Sequence, residues 1–408
     1  DLLKLANLRA KEFEILQKVL QRYYKWDINI AVNTDTVSID TQITLEILRY
    51  LGCKVKKHNG KIEINSKNIT KREIPEHLMN QMRSTVVLAG AILGRFKEAK
   101  FSYPGGCDIG ARPIDLHLAA FKKIGVNIIE DSGFIICKAE KIVGTNINLD
   151  FPSVGATENI ILASIYAEGV TQITNAAMEP EIVDLAKCLN KMGAKITGAG
   201  TNVIKIIGVQ KLKDTGYKVM QDRIEAGTLL CAGAITGGNI CLNYKNANHI
   251  TPILNKLEEA GCNIKVEKNR IYMQAPKKLK AVDIKTMPYP GFPTDMQSIF
   301  ASILTTAKGT SVIVENIFEN RYRYTAELNK MGAKITTEGK TAVIKGVRKL
   351  SGATVKSTDL RGGASMILAG LCAKGMTTVT NIEYILRGYE NLDKKLNELG
   401  AKISIQKE

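Results

Sequence analysis

A glycine-rich segment carries the cysteine whose surroundings best suit chemistry. Cys107 lies among Gly105, Gly106 and Gly110, and Arg112 follows shortly afterwards. Glycines let such a segment move, and a nearby guanidinium favours the thiolate form of a cysteine. Most cysteines in proteins are structural, so the residues alone leave a structural role for Cys107 open.

Asp295 is a second candidate, because it lies in a proline-rich segment just before a predicted helix that begins at Met296. An aspartate in that position commonly caps the helix by accepting hydrogen bonds from the first backbone N–H groups. A carboxylate within reach of a substrate hydroxyl can also accept its proton. The two roles are compatible, so both stay open.

Five arginines stand beside turn-like or helix-opening segments, where a side chain can point into a cleft. A single arginine usually forms a surface ion pair of little energetic value. Several guanidinium groups that converge on one ligand are different, because their fork geometry suits bidentate binding of a carboxylate or phosphate. The five are Arg83, Arg112, Arg321, Arg361 and Arg387.

The overall charge agrees with an anionic ligand. The chain has 408 residues with 57 Lys+Arg against 40 Asp+Glu, which gives a net charge of +17 and a sequence pI near 9.4. Such a protein attracts anions. The lysines are scattered, with no long basic run and no interleaved aromatics, so an anion pocket is favoured over a nucleic-acid surface.

The cysteine pattern and the hydropathy indicate the cellular compartment in which the protein is expected to lie. The eight cysteines include no C-x-x-C pair and no Cys/His spacing that suits zinc, so most are expected to be small core residues. The sequence has no signal-peptide pattern and no apolar run of about 18 residues. We therefore expect a protein of the reducing cytosol that does not bind membranes.

The same helix ending recurs six times along the chain. Each copy has an amphipathic stretch, an apolar or small residue followed by glycine, and then an alternating segment typical of a strand. The glycine supplies the left-handed conformation that ends a helix, and an Ala-rich helix between copies is expected to be buried. The glycines are Gly52, Gly125, Gly193, Gly261, Gly332 and Gly400, spaced by 73, 68, 68, 71 and 68 residues.

Six units of about 68 residues divide most simply into two α/β domains of three units each. We expect residues 12–220 to form the first domain, with the Cys107 segment, and residues 221–408 with 1–11 to form the second, with Asp295. Ligand sites commonly lie in clefts between domains, so the active site is expected there. An open solenoid is the alternative, although the unit is long for one.

Nine segments in order make the sequence similar to the enolpyruvyl transferase family. The resemblance implies two inverse α/β-barrel-like domains of three repeats each, with the active site in the interdomain cleft and no metal or organic cofactor. Within the family, the sequence resembles the branch that transfers enolpyruvate from phosphoenolpyruvate to the 3-hydroxyl of UDP-N-acetylglucosamine, releasing phosphate, in peptidoglycan synthesis. The segments are 82–84, 104–117, 152–157, 179–184, 222–228, 292–297, 319–321, 359–361 and 387–390.

The resemblance also implies roles for the candidates that would do the chemistry. Cys107 would be the general acid toward the methylene carbon of phosphoenolpyruvate and would form a covalent adduct with it. Asp295 would take the proton from the attacking sugar hydroxyl. Arg112 and Arg387 would bind phosphoenolpyruvate.

A further set of residues is expected, by the same resemblance, to contact the substrates. The segment after Arg112 would hold the uridine, and the turn that precedes a helix near residue 154 would present backbone amides to the diphosphate. Ordinary packing is the alternative for the apolar members. The set is Arg83, Pro113, Ile114, Asp115, Leu116, Ser153, Val154, Gly155, Ile317, Arg321 and Arg361.

The sequence departs from the family pattern in two places. The family has a Lys-Asn pair that contacts phosphoenolpyruvate; Lys11 is carried over at that position, but Glu12 replaces the Asn and adds a like charge beside the anion. Residues 1–38 otherwise bear little likeness, which leaves truncation or misassigned sequence open. Leu386 stands where the family usually has Asp, so Arg387 loses an expected orienting partner.

Two other functions stay open. The first is a shikimate-phosphate enzyme of the same family, against which Cys107 and the segment 112–115 argue. The second is a catalytically silent basic repeat scaffold that binds nucleic acid, favoured by the high pI and by Glu12; its affinity would fall steeply with ionic strength. We expect phosphoenolpyruvate and UDP-N-acetylglucosamine as partners rather than nucleic acid or membrane, and the sequence does not give the oligomeric state.

Overall fold

The computed structural model describes residues 29–31, 38–58, 61–105, 109–110 and 114–406. Apolar side chains in these ranges gather in two separate cores. The first core lies between Ile43 and Ile206 and includes the fully buried Phe101 and Phe121. The second lies between Ile224 and Leu396 and includes the fully buried Phe300. Among the described helices, none is long and apolar enough to cross a membrane.

The described helices are short to medium in length. Four 3-10 turns, at Arg83–Val86, Ala247–Ile250, Thr294–Met296 and Arg321–Arg323, precede or join them. The α-helices are α1 (Ile39–Leu51), α2 (Glu76–Met79), α3 (Val87–Phe96), α4 (Asp115–Lys123), α5 (Val154–Ser164), α6 (Pro180–Lys191), α7 (Arg223–Thr236), α8 (Thr251–Glu259), α9 (Gln297–Leu304), α10 (Tyr324–Lys330), α11 (Leu360–Cys372), α12 (Glu383–Leu386) and α13 (Leu392–Glu398).

The described strands are all five residues long or shorter. They are β1 (Asn29–Ala31), β2 (Lys54–His58), β3 (Lys61–Asn65), β4 (Glu98–Ser102), β5 (Asn127–Asp131), β6 (Phe134–Lys138), β7 (Asn146–Asn148), β8 (Val170–Thr174), β9 (Lys195–Thr197), β10 (Val203–Ile207), β11 (Asn239–Asn243), β12 (Asn263–Glu267), β13 (Arg270–Gln274), β14 (Ile284–Lys285), β15 (Thr310–Val314), β16 (Lys334–Glu338), β17 (Thr341–Lys345), β18 (Thr354–Lys356) and β19 (Thr378–Thr380).

The repeat predicted from the sequence is present in the structure. All six repeat glycines have φ between 89° and 110°, the left-handed region in which a glycine carries no Cβ penalty. Three sheets have the same strand plan, in which a parallel pair continues into two antiparallel strands: β1-β11-β13-β12, β7-β8-β10-β9 and β14-β15-β17-β16. The sixth copy differs from the prediction, because residues 401–406 after Gly400 form no strand.

The helices divide into buried and half-exposed classes, as their sequences indicate. Helix α6 is amphipathic: Pro180 at its start suits the first turn, and Ile182, Ala186 and Leu189 bury one face. By contrast, every residue of α9 is buried, and the Ala-rich α7 is buried except at its ends. The Ala- and Gly-rich helices therefore pack inside each core, as predicted.

The strand β1 bears on the predicted division into domains. It pairs in parallel with β11, with Asn29 opposite Cys241, and so belongs to a sheet of the second core. The sequence analysis expected residues 12–220 to belong to the first domain. This pairing favours placing Asn29–Ala31 with the second core, and the exact boundaries stay a prediction.

Contacts between the two cores bring their loops together, and four of those between described residues matter for the site. Three of them use carboxylates of the first core. Asp40 binds Arg387 and Glu181 binds Arg223. Glu179 accepts a hydrogen bond from the backbone of Tyr289. In the fourth, the backbone N–H of Asn320 donates to the carbonyl of Ile109 at 3.1 Å. These contacts line the junction at which the candidate site is built.

Candidate functional site

Asp295 lies between two guanidinium groups at the start of α9. Arg321 Nη2 donates to Oδ1 at 3.1 Å, and Arg361 donates to Oδ2 through Nε at 3.3 Å and Nη2 at 3.1 Å. The helix-cap alternative for Asp295 is wrong, because α9 begins at Gln297 without a side-chain cap. Both carboxylate oxygens of Asp295 bind arginines instead.

The arginines determine the charge state of Asp295. Burial acts to raise the pKa of this carboxyl, but the positive charges of Arg361 and Arg321, with a smaller part from Arg223, outweigh it and lower the pKa to about 2. The side chain of Asp295 is 40% exposed, whereas that of Arg321 is 3% exposed. The site therefore presents an ionised, accessible carboxylate backed by buried cations.

Both arginines keep donors that nothing in the described structure uses. Arg321 Nε and Arg361 Nη1 are buried and have no hydrogen-bond partner among the described residues. Buried donors in native proteins are nearly always satisfied, so two of them at one place favour an absent acceptor. An anion beside Asp295 would supply it, in line with the prediction that arginines converge on an anion.

Asp359 holds the two arginines in place, although the sequence analysis assigned it no role. It caps α11, accepting hydrogen bonds from the backbone of Arg361 and Gly362 at 3.1 Å each. Its Oδ1 also lies 3.8 Å from Nη1 of Arg321. The Asp359 carboxylate thus fixes one arginine through the backbone and the other by charge.

Arg387 has a carboxylate partner from the other core. Its Nε donates to Asp40 Oδ1 at 2.8 Å and its Nη2 to Oδ2 at 3.3 Å, across 347 residues of sequence. The expected loss of an orienting partner at Leu386 is therefore compensated by Asp40 in the first turn of α1. Sequence reasoning missed Asp40 because nothing local links two residues so far apart.

Tyr389, two residues after Arg387, connects this segment to Arg361, one of the two arginines that bind Asp295. Tyr389 is fully buried, and the guanidinium of Arg361 lies 5.1 Å from its ring centre. The Tyr389 hydroxyl is 2.9 Å from that of Thr228. The segment that carries Arg387 therefore packs against the arginine that binds Asp295.

Glu315 joins the loop that carries Ile317 to the loop that carries Asp295. Glu315 is 1% exposed, and its Oε1 accepts from the backbone N–H groups of Ile317 and Phe318 at 2.8 and 3.2 Å. Its Oε2 accepts from the Thr294 hydroxyl at 3.0 Å. Glu315 is another residue that no motif in the sequence analysis identified.

The segments predicted to hold the uridine and the diphosphate are neighbours. Ile114 is buried and precedes α4, which begins with Asp115 and Leu116. Ser153 caps α5 by accepting from the Ala156 backbone at 3.3 Å, so a helix does begin at Val154 as predicted.

His117 connects these two segments. A Cβ added at Gly155 would lie 3.2 Å from the His117 ring, a tight contact that a larger residue could make only if the ring shifted slightly. His117 Nδ1 is 2.7 Å from Asn159 Nδ2 in the core. Burial, reinforced by the charge of Arg83, lowers the pKa of His117 to about 4. The histidine is therefore a neutral structural residue, and Arg83 lies close enough for its charge to act on it.

Four predicted site residues, Lys11, Cys107, Arg112 and Pro113, lie outside the described residues. Both edges of the Cys107 segment are described. Before it, the Gly105 backbone donates to Met79 at 3.1 Å. After it, a Cβ at Gly110 would lie 2.2 Å from a carboxylate oxygen of Glu319 in the second core. Of the described residues on either side of Cys107, Gly105 therefore contacts the first core and Gly110 lies against the second.

Comparison with known proteins places these features in a family. The sequence profile of EPSP synthase (3-phosphoshikimate 1-carboxyvinyltransferase) matches residues 31–396. A protein of Caldanaerobacter subterraneus named UDP-N-acetylglucosamine 1-carboxyvinyltransferase 2 is 52% identical over 365 residues, covering 89% of this chain and 88% of the relative. The protein of that name from Clostridium tetani is 48% identical over 400 residues, covering 98% and 96%.

Solved structures share the fold at lower identity. The enolpyruvyl transferase NikO from Streptomyces tendae has a TM-score of 0.81 at 23% identity, covering 90% of this chain and 88% of that one. EPSP synthase from Acinetobacter baumannii has a TM-score of 0.67 at 20% identity, covering 91% and 89%. The predicted two-domain α/β architecture is confirmed, and the chain belongs to the enolpyruvyl transferase family of the EPSP synthases.

Proposed function

We propose that this chain transfers the enolpyruvyl group of phosphoenolpyruvate to the 3-hydroxyl of UDP-N-acetylglucosamine and releases phosphate. The observation that best supports this proposal is Asp295, an ionised and accessible carboxylate. It lies beside two arginines that each have a buried nitrogen without a hydrogen-bond partner among the described residues. Relatives about half identical over most of the chain bear the name of this activity. By this proposal the protein acts in the cytosol, in peptidoglycan synthesis and hence in cell-wall formation, cell shape and division.

The first step adds the sugar oxygen to phosphoenolpyruvate. The 3-hydroxyl oxygen forms a bond to C2 while Asp295 accepts its proton, and the electron pair of the C2–C3 double bond takes a proton from the Cys107 thiol at C3. The product is a tetrahedral centre that still carries the phosphate. By resemblance, Cys107 also forms an adduct with phosphoenolpyruvate.

The second step restores the double bond. A proton passes from C3 to the Cys107 thiolate, the electron pair forms the C2–C3 double bond, and the C2–O bond to phosphate breaks while the leaving phosphate takes the proton held by Asp295. The result is the enol ether of the sugar nucleotide and inorganic phosphate. No metal ion is needed to balance either step, because phosphoenolpyruvate carries its own leaving group.

The arginines would connect substrate binding with the basicity of Asp295. Arg321 and Arg361 now direct part of their charge at Asp295. An anion that recruits their free donors would share that charge, so the pKa of Asp295 would rise and the carboxylate would become a better proton acceptor. Arg387 would likewise exchange Asp40 for phosphoenolpyruvate, with Arg112 opposite.

The remaining predicted residues are proposed as substrate contacts. Lys11 would touch phosphoenolpyruvate despite the charge of Glu12. The wall formed by α4 and α5 would bind the sugar nucleotide, since its two predicted segments lie side by side through His117. Proposed contacts there and beside Asp295 are Arg83, Pro113, Ile114, Asp115, Leu116, Ser153, Val154, Gly155 and Ile317.

A 3-phosphoshikimate acceptor is the second candidate, because the matching family profile bears that name. Sequence identity favours the sugar nucleotide, at 52% for a relative of that name against 20% for a solved EPSP synthase. Phosphate release from phosphoenolpyruvate tests both: we expect release with UDP-N-acetylglucosamine and none with 3-phosphoshikimate. Release with the shikimate alone would reverse the assignment, and release with neither would reject the enzyme activity.

A further inference from the structure

Two glutamates of the first core reach the second core near the loop that carries Asp295. Glu179 and Glu181 flank Pro180, the first residue of α6. Glu181 Oε1 accepts from Arg223 Nε at 2.8 Å, and Glu179 Oε1 accepts from the backbone N–H of Tyr289 at 3.5 Å. Neither glutamate takes part in the proposed reaction, so their function is open.

Arg223 is well placed to transmit an effect of Glu181. It is the first residue of α7, whose backbone is fixed by the cap of Asp222, and its side chain is only 11% exposed. Its guanidinium lies 5.8 Å from the ring centre of Tyr289. Glu181 therefore completes the anchoring of a cation that already lies against the loop.

The loop between Tyr289 and Asp295 is compact enough to act as a unit. The backbone of Met287 donates to Phe292 at 3.0 Å, which closes a turn, and Phe292 packs edge-on against Phe300 of α9 at 4.9 Å. A constraint at the Tyr289 end is thus passed to the Asp295 end. The charge of Arg223 also acts directly on Asp295.

We propose that Glu181 is a positioning residue: by holding Arg223 across the junction of the two cores, it fixes the loop that carries Asp295 and limits the positive charge that this carboxylate faces. The inference rests on the proposed function and deepens it. Without the Glu181 charge, Arg223 would be free to turn toward Asp295 and to leave Tyr289. The affected quantity is the rate of the chemical step rather than substrate affinity.

The kinetic test compares four variants: Glu181→Gln, Arg223→Gln, the double variant and Glu168→Gln. Glu168 is the matched control, since it forms an exposed ion pair with Lys141 at 3.3 Å. We expect Glu181→Gln to lower kcat about 10-fold with both KM values within about twofold of wild type. The double variant should be no slower than Arg223→Gln, because Glu181 acts through Arg223.

A second measurement does not depend on activity. Amide hydrogen exchange of peptides covering residues 286–296, without substrate, should be faster in Glu181→Gln and in Arg223→Gln and unchanged in Glu168→Gln. Unchanged exchange in Glu181→Gln, or kinetic losses that multiply in the double variant, would overturn the proposal. If wild type releases no phosphate with either acceptor, the proposed function fails, while exchange still decides whether Glu181 holds the loop.

Discussion

At the scale of single residues, the site pairs carboxylates with the arginines that we propose as contacts of an anionic substrate. Asp295 binds Arg321 and Arg361, and Asp40 binds Arg387. Partly buried pairs of this kind are screened little by salt. Under the proposed function, phosphoenolpyruvate would compete with these carboxylates for the arginines, and its binding would be linked to activation of the base.

Replacing Asp295 by Asn should remove the proton acceptor while keeping the shape of the side chain. We expect kcat to fall by at least about 100-fold, the usual loss when a general base is removed. The rate of phosphate release measures this loss. Asp283→Asn is the control, since Asp283 is exposed and accepts a hydrogen bond from the Val312 backbone, which Asn can also accept. Near-parental turnover in Asp295→Asn would contradict the assignment.

The low pKa of Asp295 also predicts how stability depends on pH. Because the folded-state pKa is about 2 against an ordinary value of 3.8, the ion pairs contribute stability that is complete above about pH 4 and is lost as the pH falls toward 2. The Tm of wild type should therefore exceed that of Asp295→Asn near neutral pH, and the gap should narrow below about pH 4. A gap that is constant over this range would show that folding does not lower the pKa of Asp295.

Sequence reasoning identified the arginines and Asp295, but not how they pair or that Asp40 binds Arg387. Arg321, Arg361 and Arg387 stood at recognisable motif positions, and the structure brings the first two together at Asp295. Asp40, which holds Arg387, is 347 residues away in sequence and carries no local signal. Such pairing follows from how the two cores meet, which a single sequence does not specify.

At the scale of elements, helix caps coincide with candidate site residues. Among the described helices, side-chain caps are found on four, and each of these has a site residue in its first turn. The pairs of cap and site residue are Ser38 with Asp40, Ser153 with Gly155, Asp222 with Arg223 and Asp359 with Arg361. Capping fixes the backbone of the first turn, so it also fixes the residues that act from it.

Asp359 offers a direct test of that coupling. Asp359→Ala should lower the free energy of unfolding by about 1–2 kcal/mol, the usual cost of a lost helix cap, and should reduce kcat because Arg361 loses its fixed backbone. Asp359→Ser can still cap, so most of the stability should return. Denaturant unfolding with kinetics on both variants checks this; equal stability of the Ala and Ser variants would exclude the capping role.

The elements themselves were largely predictable. Six Leu-Gly, Ile-Gly, Met-Gly or Ala-Gly endings indicated six left-handed helix ends, and all six glycines adopt that conformation. Local sequence determines such ends, because the glycine and the preceding amphipathic face suffice. Pairing of β1 with β11 across some 210 residues was not predictable, nor was the lack of a strand after Gly400, since both depend on neighbours outside the segment.

At the scale of the whole molecule, the site is shared between two cores. Asp295, Arg321 and Arg361 come from the second core, whereas Asp40, Glu181 and the segment leading to Cys107 come from the first. A change in the relative position of the cores would alter at once the two ion pairs that cross between them, Arg387 with Asp40 and Arg223 with Glu181. The contacts between Arg387 and Asp40 and between Arg223 and Glu181 are therefore expected to respond to substrate binding.

The most direct test of the central claim is to follow the carbon skeleton itself by NMR. Phosphoenolpyruvate labelled with carbon-13 at C3 is incubated with UDP-N-acetylglucosamine and the protein, with Asp295→Asn in parallel. The proposed reaction predicts new vinyl proton signals coupled to the label on the sugar nucleotide, together with phosphate, in the wild-type sample only. The proposed reaction would be contradicted if the vinyl signals stayed on phosphoenolpyruvate. It would also be contradicted if the label were transferred only when 3-phosphoshikimate replaced the sugar nucleotide.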